Sequence, residues 1–575
     1  MRWLVGVWLL YAVSAWAVNE DLAPERASGW AEQAALVSEQ MMVVAAHPAA
    51  AEAGMWILQA GGSAMDAAVA VQAMLTLVEP QSSGIGGGGF MLHWDAATQR
   101  LQAFDGRETA PLAADERLFL DASGNPLPFW QALVGGRSVG VPGIVRLMEE
   151  GHRQHGRLPW AQLYQDVIHR AREGFEVSAR LHRSIASGVN PGLDTTPASR
   201  SYFYLADGSP LPQGYRRRNP ELAATFELIA AQGADGFYQG ELAQRIVAAV
   251  QQADNPGLLQ LEDLQRYRMI ERQPLCRDYA QRRWCSMPPP TSGGVTLLQM
   301  VGLLERFDLA VLPPDSAAFN HLLTQAARLA YADRARYLAD SDFVEVPVER
   351  LLERDYLQRR SQLIDPDVDM GKAEAGALDL PAQRDGTSLE RPSTSHFVIV
   401  DREGNALSMT SSIEMAFGST LMVGGFLLNN QLTDFSFAPE QDGWPVANRV
   451  QPGKRPRSSM TPLMVFDSAQ RPQLLLGSPG GSRIINYVAQ AALAHVVAGM
   501  SLDRAVALPH VSNRNGVTEL EQDTAAEQLA APLRRLGHTL KVKEMNSGLH
   551  GVARLPDGRW QAGVDPRREG VARGQ

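Results

Sequence analysis

A threonine becomes a usable nucleophile when it is the first residue of a chain, and Ser393-Thr394-Ser395-His396-Phe397 offers a candidate. Thr394 follows a small polar residue and opens an alternating apolar run that ends at Asp401. A threonine hydroxyl is a poor nucleophile at neutral pH. If the bond before it is cut, its own α-amino group, with a pKa of about 7.7–8.0, supplies the missing base. The stretch therefore predicts a precursor that cuts itself between Ser393 and Thr394. Alone the signal is weak, because Thr at a strand start is also ordinary β-propensity.

A second element of such a site lies downstream. Gly477-Ser478-Pro479-Gly480-Gly481-Ser482 joins a strand to a helix expected over 483–497. Amide N–H groups at a helix start have no intrahelical partner and face the positive end of the dipole. Gly480 and Gly481 thus make a ready oxyanion hole. A phosphate cradle is the competing reading, but the Gly-Lys-Ser/Thr of a phosphate loop does not follow.

The elements that position these groups read as mixed helices and antiparallel strands. Two Ala-rich helices occupy 47–78, broken at Gly61-Gly62, with a capping box at Ser63 and Asp66. The second helix is apolar nearly all round and so should be buried. Gly84 to Gly89 contains G-x-G-x-x-G. A dinucleotide fingerprint follows a strand and opens a helix, whereas here a helix precedes and a strand follows, so that reading is rejected. Residues 150–370 are mostly helical. Residues 370–393 read as an exposed, mobile linker ending at the proposed cut. Beyond Thr394 come strands paired at Arg402-Glu403-Gly404-Asn405, at 463–466 with 473–476, and around Pro556-Asp557-Gly558. Helices flanking stacked antiparallel strands give the α+β class and a four-layer αββα sandwich.

Composition narrows the function. A net charge of −10 argues against nucleic acid as the main partner. Arg2, the short apolar run 3–15 and Ala15-Trp16-Ala17 read as a secretory signal cut after Ala17; the run is shorter than the roughly 20 residues of a membrane span. The mature protein is expected in the periplasm or outside the cell. Cys276 and Cys285 fall opposite each other in a hairpin turning near Ala280-Gln281, so either they are bonded or they are two separate buried thiols. His152 and His155 read as solvated in a polar, Gly-flanked turn. No metal site and no cofactor are expected.

Several long motifs in order resemble the γ-glutamyltranspeptidase (glutathione hydrolase) family of N-terminal nucleophile hydrolases. They are Asp105-Gly106-Arg107-Glu108-Thr109-Ala110-Pro111, the Thr394 segment, Leu428-Asn429-Asn430-Gln431 through Asp434-Phe435, Lys454-Arg455-Pro456-Arg457-Ser458-Ser459-Met460, and the Gly480-Gly481 turn. The resemblance runs from about residue 40 to the C-terminus. Together with the signal peptide read at 1–17, it implies a large subunit (18–393) and a small subunit (394–575) that share the αββα core as a heterodimer.

The resemblance also implies roles. Thr394 would attack the γ-glutamyl amide of glutathione or related compounds, and water or an amino acid or peptide would resolve the acyl-enzyme. Ser412 would hydrogen-bond the nucleophile. Arg107, Ser458 and Ser459 would hold the substrate α-carboxylate. Glu414, Gln431 and Asp434 would accept from its α-ammonium, and Gly480 and Gly481 would bind the oxyanion. Ser412 stands where the family normally has Thr, and Glu414 where many members have Asn. Residues 436–453 correspond to a lid over the pocket. A glutaryl (cephalosporin) acylase on the same scaffold is the nearest rival; its substrate lacks the α-amino group, which would waste Asp434 and Glu414. A non-catalytic periplasmic binding protein is a rival of another class, and it needs no chain cleavage.

Overall fold

The computed structural model describes residues 30, 35–378, 383–386 and 393–575. The expected signal segment lies outside the described residues. No helix among the described residues is long and apolar enough to cross a membrane.

Two seven-stranded antiparallel sheets form the centre. In the first, Ser395–Val400 and Ala406–Ser412 sit side by side in the middle. Met42–Ala45 and Val571–Gly574 complete one side, and Gly88–Asp95, Arg100–Gly106 and Ile270–Arg272 the other. In the second, Leu463–Phe466 and Pro472–Gly477 are central. His550–Arg554, Trp560–Val564 and Val37–Ser38 extend one edge; Arg282–Ser286 and Leu275–Tyr279 extend the other.

Alternation places the sheets face to face. Val398 and Val400 point into the layer between the sheets, where Trp94 of the first meets Phe466 of the second. Phe397 and Ile399 point the other way, onto the helices Pro48–Gln59 and Ala64–Val78. Helices Gly293–Leu304, Ala317–Tyr337 and Ile484–Val496 cover the far face of the second sheet. The result is the four-layer αββα sandwich.

Local signals fix many of these elements. The Ser63–Asp66 capping box forms in both directions, and every residue of Ala64–Val78 is buried. Cys276 lies opposite Cys285 across a hairpin whose two turn residues, Ala280 and Gln281, both have positive φ; the two cysteines are bonded, with Cα atoms 4.1 Å apart.

Two expectations are corrected. His152 and His155 are not in a turn: the apolar stripe Ile144, Val145, Leu147 and Met148 carries a helix through His155. The His155 ring stacks on His93 at 4.0 Å, and His152 Nε2 lies 3.0 Å from the Leu158 carbonyl. The segment before Ser393 is also less exposed than its polarity suggests. Ala373 is buried, the Gly376 N–H donates to Asp333 at 2.8 Å, and the Gly386 N–H donates to the Ala335 carbonyl. Unpaired backbone groups are costly to bury, so even a polar segment seeks partners where it crosses the surface.

Candidate active site

Thr394 is the last residue before the central strand Ser395–Val400, which starts at the rim of the sheet sandwich. It is buried, and its Oγ1 lies 3.3 Å from the Ser412 Oγ. Pairing of Ser395 with Ser411 sets that neighbourhood, because it carries Ser412, the last residue of the adjacent strand, beside Thr394, the residue just before this strand. The Ser412 hydroxyl donates to the Ser393 carbonyl at 2.8 Å and accepts the Glu414 N–H at 2.8 Å. A proton donor is thus already aimed at the oxygen that would gain charge if Thr394 attacked the Ser393 carbonyl.

A small pocket opens beside Thr394. Its lining brings together Arg107, Ser412, Glu414, Gln431, Asp434, Ser458, Ser459 and Gly481, with Met460 and Ile484 as apolar walls. Arg107 leaves the end of Arg100–Gly106 and is fully buried. Its Nη2 pairs with Asp434 Oδ2 at 2.6 Å and donates to the Arg457 carbonyl, while Nε donates to the Pro456 carbonyl at 3.1 Å. The motif around Arg457 therefore holds the guanidinium flat, and Asp434 neutralises it. The Gln431 side-chain amide donates to the same Asp434 oxygen at 2.6 Å, across one turn of the 3-10 helix Gln431–Asp434.

Glu108 stands behind Arg107, 3.6 Å from its Nη1, with neither carboxyl oxygen hydrogen-bonded among the described residues. Burial pushes its pKa up to about 8, against the pull of Arg107. A pKa near 8 keeps Glu108 mostly protonated at neutral pH, and the ionisable side chains in the pocket lining are Arg107, Asp434 and Glu414. Glu414 takes the Asn430 side-chain amide at 2.6 Å while still lining the pocket. Its positive φ of 76° bends the chain back after Ser412.

Gly481 lines the pocket, and Gly480 sits one residue back. Gly480 has φ +140°, and a Cβ there would stand 2.7 Å from the Tyr487 ring, so glycine is required on both counts. The expected helix begins as a 3-10 turn, Gly481–Arg483, and continues as Ile484–Val496. Residues 436–453 fold as a small hairpin of Glu440–Gln441 against Trp444–Pro445. Asn448 ties its base to the site, donating to the Asp434 carbonyl at 2.7 Å and accepting the Arg457 N–H at 2.9 Å.

Sequence reasoning missed the residues that hold these loops. Tyr331 Oη donates to the Ser482 carbonyl, and Arg334, one turn on, donates to the Ser459 hydroxyl at 2.7 Å. One helix thus braces both the glycine turn and the serine pair. Arg568 Nη1 donates to the Thr394 carbonyl at 3.3 Å and its Nε to the Ser547 carbonyl at 2.7 Å. The signal available was a buried Arg in an otherwise core helix, and Arg567-Arg568 following Asp565-Pro566 near the end of the chain.

A sequence profile of the Gamma-glutamyltranspeptidase family matches residues 50–575. The "Glutathione hydrolase proenzyme" of Bacillus subtilis (strain 168) is 37% identical over 94% of this chain and 92% of its own length. The "Acylase ACY 1 proenzyme" of Pseudomonas sp. (strain SE83) is 34% identical, covering 92% of each. Among solved structures, cephalosporin acylase from Bacillus halodurans superposes with a TM-score of 0.84 at 27% identity, over 95% of this chain and 97% of that one.

Proposed function

Because the chain belongs to the γ-glutamyltranspeptidase family and is an enzyme of the γ-glutamyltransferase/glutathione hydrolase class, we propose that it is a self-cleaving precursor whose Thr394 transfers γ-glutamyl groups. The observation that carries this reading is the buried Arg107–Asp434 ion pair facing the Thr394 hydroxyl. A γ-glutamyl substrate ends in a zwitterion. Its carboxylate can take the Arg107 fork and its ammonium the Asp434 carboxylate, so each end of the substrate replaces one partner of the existing pair. Ser458 and Ser459 add hydroxyls to the carboxylate, and Glu414 and Gln431 add acceptors for the ammonium.

Maturation comes first. The Thr394 oxygen adds to the Ser393 carbonyl, the C–N bond breaks, and the hydroxyl proton ends on the freed amine. Water then hydrolyses the resulting ester and leaves Ser393 as the end of the large subunit (18–393) and Thr394 as the start of the small one (394–575). In turnover the free amine takes the Thr394 proton, the oxygen attacks the γ-amide, and the Gly480 and Gly481 amides stabilise the oxyanion; as it collapses the amide C–N bond breaks, and the proton held by the Thr394 amine passes to the departing amine, leaving a γ-glutamyl ester on Thr394. Water or an amine then resolves the γ-glutamyl-enzyme. Residues 1–17 would export the chain. The test is side-by-side hydrolysis of glutathione and a glutaryl amide by the processed protein, with faster glutathione cleavage expected.

A second reading is glutaryl acylase activity. A glutaryl carboxylate could take the Arg107 fork in the same way, although it brings no partner for the displaced Asp434, and the acylase relatives match over nearly the same span. Equal or faster cleavage of the glutaryl amide would establish it in place of the first.

A further inference from the structure

We propose that the loop Glu79–Ser83 is a clamp that aligns the scissile junction for self-cleavage and takes no part in substrate turnover. The inference rests on the self-cleaving reading above. The loop grips the junction on both sides of Thr394. On one side the Ser393 hydroxyl donates to the Gln81 carbonyl at 2.5 Å. On the other the Ser83 hydroxyl donates to the Ser395 hydroxyl at 3.0 Å. All of these groups are buried. The residue between, Thr394, is held from a third direction through its carbonyl by Arg568.

The loop itself is fixed. Glu79 ends the fully buried helix Ala64–Val78 and accepts the Ser82 N–H on its own carbonyl at 2.9 Å. Its carboxylate pairs with Arg180, which also donates to the Ser82 hydroxyl at 2.9 Å. The Gln81 carbonyl accepts the Phe417 N–H and the Ser82 carbonyl the Ile413 N–H, so the loop is sewn to the turn that follows Ser412. Self-attack requires the Thr394 oxygen to sit over its own preceding carbonyl carbon, a strained arrangement that a free chain visits rarely. Fixing the residues before and after Thr394 removes that entropic cost before the reaction starts. None of residues 79–83 lines the substrate pocket, so the clamp should matter only until the bond is cut.

The full precursor is made by cell-free synthesis, and the first-order appearance of the small chain is followed by denaturing electrophoresis. Ser83→Ala removes one arm and Ser393→Ala the other. Each should slow cleavage by about fivefold, and the double variant by more than tenfold. Ser83→Thr keeps the hydroxyl and should cleave within about twofold of wild type. Per mole of small chain, matured Ser83→Ala should keep wild-type kcat and KM. Should Ser83→Ala fail to fold, Ser395→Ala deletes the other hydroxyl of the same contact, with the same expectation. Wild-type cleavage rates in whichever of these folds overturn the clamp, as does a kcat that falls in step with processing. A wild-type protein that stays one chain defeats the self-cleavage reading as well, whereas a wild type that cleaves alongside an unimpaired Ser83→Ala removes the clamp alone.

Discussion

Arg107 and Asp434 lie 327 residues apart in the chain, yet their side chains meet at 2.6 Å in a pocket where the arginine is fully buried. Arg107 and Asp434 therefore balance each other in the pocket that faces Thr394 before any substrate arrives, with Glu414 as a further carboxyl group in the lining. Removing one member of a buried pair leaves the other uncompensated, at a cost of about 3–5 kcal/mol. A zwitterionic amino-acid head avoids that cost, because it presents a partner to each.

The first prediction concerns maturation. Wild-type protein should run as two bands on denaturing electrophoresis, with the smaller 182 residues long and beginning at Thr394 by N-terminal sequencing. Thr394→Ala should stay as one inactive chain. A small chain starting at another residue would remove Thr394 as the nucleophile.

Ser412 provides a sharper test of how the bond is cut. Its hydroxyl donates to the Ser393 carbonyl at 2.8 Å and stands 3.3 Å from Thr394 Oγ1. Losing a donor to a developing oxyanion costs about 100- to 1000-fold in rate. Ser412→Ala should slow precursor cleavage by that order, and Ser412→Thr should preserve it. Time courses of small-chain release distinguish the two.

For Arg107, the lysine variant keeps the charge but loses the fork that pairs Asp434 while donating to the Pro456 and Arg457 carbonyls. Each charge-assisted bond contributes about 1.5–3 kcal/mol, so KM for γ-glutamyl substrates should rise roughly 10- to 100-fold. Precursor cleavage should survive, since no carboxylate head takes part in it. Unchanged steady-state constants would exclude Arg107 from the head pocket.

Asp434→Asn keeps the shape and removes the negative charge. Glutathione hydrolysis should fall, and the ratio of glutaryl-amide to glutathione hydrolysis should rise, because an ammonium gains less from a neutral amide than from a carboxylate. Glu414 stays in the pocket lining and limits the change. A ratio that does not move would mean that Asp434 is only the counter-ion of Arg107.

Glu108 predicts a pH dependence of stability. Burial raises its pKa from 4.5 to about 8, so between those values the native state holds a proton that the unfolded chain has released. Its contribution is fully present below the unfolded pKa of 4.5 and is lost as pH rises through about 8, with a slope of up to about 1.4 kcal/mol per pH unit. Glu108→Gln does not titrate. The melting temperature of the variant minus that of wild type should therefore climb across this window, and a flat difference would contradict a buried, protonated Glu108.

By itself the sequence determined whatever depends on a few neighbouring residues. Thr394 at the head of an alternating strand, the Ser63–Asp66 cap, the hairpin that faces Cys276 to Cys285 and the glycines at 480 and 481 all follow from periodicity, capping and turn geometry. The roles proposed for Arg107, Gln431 and Asp434 rest on the order of long motifs and their family resemblance, since each residue taken singly has an ordinary structural explanation. Only the tertiary structure decided which groups meet. Stacking the two sheets and their helices set Arg107 against Asp434, stacked His155 on His93, placed Tyr331 and Arg334 under two separate loops, and closed residues 79–83 around Ser393 and Ser395. Such pairings depend on how distant elements pack, and a burial-driven shift such as that of Glu108 depends on everything packed around the group, which no local stretch of sequence encodes.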